Sequence, residues 1–103
     1  DQYVKWWGMD KHDYFFTDAR VKDSYKRWVN TLLTRVNHNT GIAYRDDPTI
    51  FGWELMNEPR CSAGGLFGSS GYCTSATITS WVSEMSNYVR SIDSKHLIGI
   101  GDE

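Results

Sequence analysis

The sequence is short of several things, and each shortage removes a class of answer. It has no basic excess: eleven Lys plus Arg stand against thirteen Asp plus Glu, a formal charge of -2. Counterion release from a phosphate backbone therefore has nothing to act through, and no nucleic-acid partner is expected. No apolar run approaches the ~20 residues that a membrane-spanning helix needs, so no membrane partner is expected either. The three histidines, His12, His38 and His96, are scattered without ligand spacing, and two cysteines are too few for zinc; neither a metal nor a cofactor is indicated. At 103 residues the chain is too short for a closed barrel of eight β/α units, which takes roughly 250. What it does not lack is aromatic rings: 15% of residues, with five Trp and six Tyr. Hydrophobic content of 40% against 23% charged is globular, not disordered. Much of the aromatic surplus belongs to a core, and the rest suits a surface for flat amphipathic ligands such as sugars.

The ends of the sequence read as cuts. It closes at Gly101-Asp102-Glu103, directly after the apolar run Leu97–Ile100, and a buried strand needs neighbours on both sides. Residues 1–103 are therefore read as one partial domain, truncated at both ends.

Residues 1–16 are aromatic without a clean period and are expected to be mostly loop. Val21, Tyr25, Trp28, Val29, Leu32, Leu33 and Val36 then form a one-sided stripe at helical spacing, with Thr17 or Asp18 to cap its start and Asn39-Thr40-Gly41 to stop it. After the turn at Asp46-Asp47-Pro48, Thr49–Met56 is a strand of the kind buried on both faces. Eighteen residues rich in Gly and Ser, Asn57–Thr74, lead to a second helix marked by Ile78, Trp81, Val82, Met85, Val89 and Ile92, capped by Thr74, Ser75 or Thr77. Leu97–Ile100 is the second strand. This order predicts an α/β fold with parallel strands and a right-handed crossover. In such folds ligands bind at the carboxyl ends of the strands, so the long strand-to-helix loop is where chemistry should be sought.

Asn57-Glu58-Pro59 begins that loop. Pro59 cannot continue a strand, which leaves Glu58 at the rim on a rigid support. A general acid needs that fixed position and partial desolvation; an ordinary exposed turn glutamate would occupy the same place. The longer string settles more. Asp46–Phe51 followed by Trp53–Cys61 (WELMNEPRC) resembles strand four of a glycoside hydrolase family five enzyme, specifically the endo-β-1,4-mannanases of plants and fungi. Gln2–Trp6, Asp13–Asp18, Thr34–Asn37, Ser91–Leu97 and Ile100–Glu103 read like the same proteins.

The resemblance implies a (β/α)8 TIM barrel of clan A, with residues 1–103 supplying the loop after strand 3, helix 3, strand 4, helix 4 and strand 5. It implies retaining hydrolysis of internal β-1,4-mannosidic bonds in mannan, galactomannan and glucomannan by a secreted, extracellular, monomeric enzyme. Glu58 would be its general acid/base, with a nucleophile on strand seven outside this sequence. Alternatives are another β-glycanase of the clan, cellulase-like, and a non-catalytic carbohydrate-binding barrel. Asn57 would hydrogen-bond the sugar 2-hydroxyl. Strict alternation points Asn57 and Glu58 to opposite faces, so both reach one site only if the strand breaks or bulges near Met56–Glu58. Arg60 would contact substrate or loop, and Trp6 or Trp7 would stack on a mannosyl ring or pack in the loop. Glu54 shares parity with Glu58 and points into the barrel as a structural partner, while Phe51, Trp53 and Leu55 pack against helices. Asp102-Glu103 would shape the site. Cys61 and Cys73 would form a disulfide in the long loop, as the resembled enzymes imply, or remain two thiols.

Overall fold

The computed structural model describes residues 1–62 and 64–102. Its elements run α1 (Gln2–Trp6), α2 (Tyr14–Thr17), α3 (Ala19–Thr34), a 3-10 turn (Tyr44–Asp46), β1 (Gly52–Glu54), α4 (Ser75–Ile92) and β2 (Leu97–Gly99). The expected order of helix, strand, long loop, helix and strand is observed. The two strands pair in parallel, with Gly52 opposite Leu97, Trp53 opposite Ile98 and Glu54 opposite Gly99.

Asp18 starts α3 by accepting hydrogen bonds from the amides of Arg20 (2.9 Å) and Val21 (3.3 Å). Two orphan donors of the first turn are thereby satisfied. α3 ends at Thr34, earlier than Asn39-Thr40-Gly41 suggests. Arg35 is already extended, and Val36 bridges antiparallel to Ala43. The Asn-Thr-Gly signal is turn chemistry, but for this small hairpin: Gly41, at φ 70, donates its amide to the Asn37 carbonyl at 2.7 Å. Val36 consequently leaves the apolar stripe and is exposed. α4 begins where expected, with Thr74 and Thr77 forming a reciprocal capping box.

Residues 1–16 depart from the expected loop. They contain two short helices, α1 and α2, because their apolar side chains join the core instead of following a surface period. Val4, Phe15 and Phe16 are buried with Val21, Val29 and Leu33 of α3, Leu55, and Trp81, Met85 and Val89 of α4. Helices of four and five residues are unstable alone and exist here through that packing. Rings meet edge to face, Phe15–Phe16 at 5.3 Å and Phe16–Trp81 at 5.4 Å.

β1 is shorter than the expected Thr49–Met56 strand, since Asp47 takes the Thr49 amide and hydroxyl into a local turn. Within the described residues only one of its faces is covered. Leu55 is buried and Trp53 half-buried against the helices, as parity required, but Phe51 is 84% exposed and Glu54 is exposed. Phe51 precedes the paired segment, beyond the reach of the helix layer.

At the amino ends of the strands lies a buried polar hub. Asp93, 2% exposed, accepts the Trp53 indole N–H (2.7 Å) and the Lys95 and His96 amides (2.9 and 3.1 Å). The His96 ring links Asp93 Oδ2 (2.6 Å) to the Asp47 carbonyl (2.9 Å). Both ring nitrogens face oxygens, an arrangement that favours the protonated ring. The Asp47 carbonyl raises its pKa, burial opposes, and Asp93 raises it further. Burial pushes the Asp93 carboxyl up, but its hydrogen bonds from Trp53, Lys95 and His96 outweigh that and hold it at about 2.

Candidate active site

The opposite end of the sheet carries Glu58. Backbone hydrogen bonding continues past β1: Leu55 donates to Gly99 (3.0 Å), Met56 to Ile100 (3.2 Å) and Glu58 to Gly101 (2.8 Å). Between the last two bonds the first strand advances two residues while its partner advances one. That is a bulge, placed where the alternation of Asn57 and Glu58 demands it. Glu58 itself adopts φ 47, the one non-glycine residue at positive φ among those described. Such a conformation costs free energy and persists only when its surroundings fix it. Gly101, at φ 88, supplies the fixing contact, and a Cβ on it would fall 2.0 Å from the Met56 carbonyl oxygen. No other residue fits there without moving the segment that leads into Glu58.

The Glu58 carboxylate is part-exposed and receives a hydrogen bond from Arg60 Nη2. Pro59 between them is buried. Cys61 is bonded to Cys73, as the sequence resemblance implies, with their Cα atoms 5.5 Å apart. Because Cys73 precedes the α4 cap Thr74, the bridge fastens the start of the loop to the start of α4. Beside it, Pro59, Arg60, Cys61, Ile78, Ile100 and Asp102 line an open cleft of about 430 Å³.

The N-terminal segment holds the loop at further points, which sequence reasoning missed. Asp13 accepts the Ser70 amide (2.6 Å) and hydroxyl (2.5 Å). Burial pushes its carboxyl up, but those Ser70 hydrogen bonds outweigh it and leave the pKa below the ordinary carboxylate value. Asp1 accepts the Leu66 amide at 2.8 Å. His12 is buried; its Nδ1 lies 2.8 Å from Asp1 Oδ1 and its Nε2 lies 3.1 Å from the Arg60 carbonyl. Burial lowers the pKa of this ring, and the Arg60 carbonyl opposes that. The available signal was the dense polar run Asp10–Asp13, but its partners in the loop, Arg60 and Ser70, stand dozens of residues away.

The structure thus brings Glu58, Arg60 and the disulfide together at the strand end, with Asn57 exposed in the bulge. Trp7 is engaged elsewhere: its indole donates to Ser24 Oγ at 3.1 Å and Arg20 lies over its ring at 5.4 Å, both on α3. Trp6 is 66% exposed and meets Tyr3 edge-on at 5.1 Å. Glu103 lies outside the described residues. Among the described residues no group of three His, Cys, Asp or Glu could hold a metal ion.

Comparison with known proteins places this geometry. The family described as GH family 5 beta-mannosidase-like matches residues 2–103. The chain is 50% identical over 102 residues to mannan endo-1,4-beta-mannosidase 1 of Arabidopsis thaliana, covering 99% of this chain and 23% of that protein. Against the crystal structure of the endo-1,4-beta-mannanase from Rhizomucor miehei it has a TM-score of 0.98 and 48% identity, covering 100% of this chain and 29% of that one. Against the endo-1,4-beta-D-mannanase from Thermotoga petrophila the TM-score is 0.88 at 44% identity, covering 99% and 26%. The chain spans about a quarter of the length of the curated relatives it matches. With two parallel strands, their helices and a loop-borne Glu58 at the carboxyl end, the chain belongs to the β-mannosidase-like members of glycoside hydrolase family 5 and supplies part of their (β/α)8 barrel.

Proposed function

We propose that the protein containing this chain is a retaining endo-β-1,4-mannanase acting on β-mannan polysaccharides, and that Glu58 is its general acid/base. The observation that carries the reading is the placement of Glu58: it stands just past a strand end, in a bulge, at a positive φ fixed by Gly101. Strain of this kind concentrates where a side chain must be aimed. The relatives that match over nearly the whole chain are mannan endo-1,4-beta-mannosidases.

Retaining hydrolysis uses two carboxyl groups about 5–5.5 Å apart, one protonating the leaving oxygen and one attacking the anomeric carbon. Glu58 would protonate the glycosidic oxygen and then, as carboxylate, take a proton from the incoming water. Arg60 would hold the carboxylate in the glycosyl-enzyme, after its proton has gone to the leaving oxygen and before water restores it, and would meet the sugar as it enters. Asn57, exposed beside Glu58, would donate to the 2-hydroxyl. Trp6, with the more exposed ring, suits stacking on a mannosyl face better than Trp7, whose ring is occupied by α3. The disulfide supports a secreted protein, because such bridges persist in oxidising compartments.

In the full-length protein, Glu58→Ala is expected to lower kcat on mannan by about 10²–10⁴-fold. An activated aryl mannoside should still form the glycosyl-enzyme, and azide should restore turnover. Equal losses on good and poor leaving groups, with no azide rescue, would refute the acid role. Residues 1–103 alone are expected to be inactive, since one acid/base cannot also serve as nucleophile.

A further inference from the structure

Arg60, which meets the Glu58 carboxylate, is itself held by a side chain that retaining hydrolysis does not require. His12 is buried beneath the loop, with Nδ1 at 2.8 Å from the Asp1 carboxylate and Nε2 at 3.1 Å from the main-chain carbonyl of Arg60. The His12 amide also donates to the Gly68 carbonyl at 3.0 Å. Arg60 then passes the constraint on, since its guanidinium donates to the Glu58 carboxylate. A chain of contacts therefore runs from the Asp1 carboxylate through the imidazole and the Arg60 main chain to the acid.

We propose that His12 is a positioning residue for catalysis: through the Arg60 carbonyl it sets the orientation of the Glu58 carboxyl. The inference rests on the acid/base reading of Glu58. Small displacements of a catalytic group cost rate without costing substrate affinity. Losing the Nε2 contact should slow the steps that need proton transfer and spare the rest.

Glutamine can place its amide group at the Nε2 position and asparagine at the Nδ1 position, so the two amides separate the ties. In the full-length enzyme, His12→Gln should keep kcat on mannan and on an aryl mannoside with a poor leaving group within about twofold of wild type. His12→Asn should lose roughly tenfold on both, with KM nearly unchanged and less than about twofold lost on an aryl mannoside with a good leaving group. If the asparagine variant matches the glutamine variant, or loses equally on good and poor leaving groups, His12 is only structural and the proposal fails. Should both variants misfold, removing the tie from the other side decides it. Asp1→Ala withdraws the acceptor at Nδ1 and should lower kcat more on the poor than on the good leaving group, as His12→Asn does, whereas a leaving-group dependence unchanged from wild type overturns the proposal. Azide rescue of Glu58→Ala in parallel separates the two ideas: rescue with unaffected His12 variants sinks this inference alone, and absent rescue sinks the reading beneath it.

Discussion

The molecule uses the same device at both ends of its sheet. His96 and His12 are buried to nearly the same degree, 8% and 7% exposed. Each ring joins a carboxylate to a main-chain carbonyl far away in sequence, 49 positions for His96 and 48 for His12. Their electrostatics diverge. At the amino ends Asp93 is fully enclosed, lies within one helical turn of its histidine and gathers three further donors, and the ring's pKa rises. At the carboxyl ends Asp1 is 16% exposed at its side chain, and the ring's pKa falls. The first arrangement is a closed structural knot, while the second is a looser tether for the loop to which we assign the chemistry. Barrels of this kind separate stability from catalysis by face, and on the reading proposed above the two imidazoles fall on either side of that division.

The division can be broken or sharpened by experiments on the full-length protein. The largest effect belongs to the upper face: Glu58→Ala should remove about 10²–10⁴-fold of kcat while leaving the denaturation midpoint within error of wild type. A large midpoint shift would mean that the strand end also carries stability. His96→Leu should do the reverse, costing about 3–5 kcal/mol in urea unfolding because Asp93 is left buried without its cation, with kcat per folded molecule unchanged. Cys61→Ser with Cys73→Ser removes a bridge spanning 12 positions, worth about 3 kcal/mol in the chain-entropy model. The same loss should appear in wild type on reduction and vanish in the double variant.

The smallest effect is the pH dependence of the lower knot. His96 has a pKa above its ordinary 6.5, so its contribution is complete below about 6.5 and drains away as pH rises through the folded value. Asp93 sits at about 2 against an ordinary 3.8, so it contributes fully above about 4 and loses that as pH falls towards 2. The knot should therefore stabilise most between about pH 4 and 6.5, and His96→Leu should flatten the upper limb of that profile. An unchanged upper limb would place the titrating group elsewhere.

Much of this was legible in the sequence, for reasons that also explain the gaps. α3 and α4 announce themselves through long stripes and capping residues, and the long loop between β1 and α4 was legible from its Gly and Ser content. Parity asked for a break or bulge near Met56–Glu58 if Asn57 and Glu58 were to share a site, and the backbone hydrogen bonds are offset there. α1 and α2 were not legible, because four or five residues carry no period and their helicity comes from burial beside Phe15, Phe16 and Trp81. Helix and strand ends slipped where local hydrogen bonding won: Asp47 curled Thr49 out of the strand, and the hairpin at Gly41 ended α3 early. The histidines were weighed only as metal ligands. Asp93 and His96 at a spacing of three were a local hint of a pair, but no local pattern reveals that His12 lies under Arg60.

Glu58 stands in a left-handed backbone conformation that asparagine or glycine would occupy more comfortably. Selection for a more robust fold alone would replace it. On the acid/base reading proposed above, the glutamate is a standing trade-off between durability and turnover, and a directed search for heat-resistant variants that omits an activity screen should drift towards glycine at this very position.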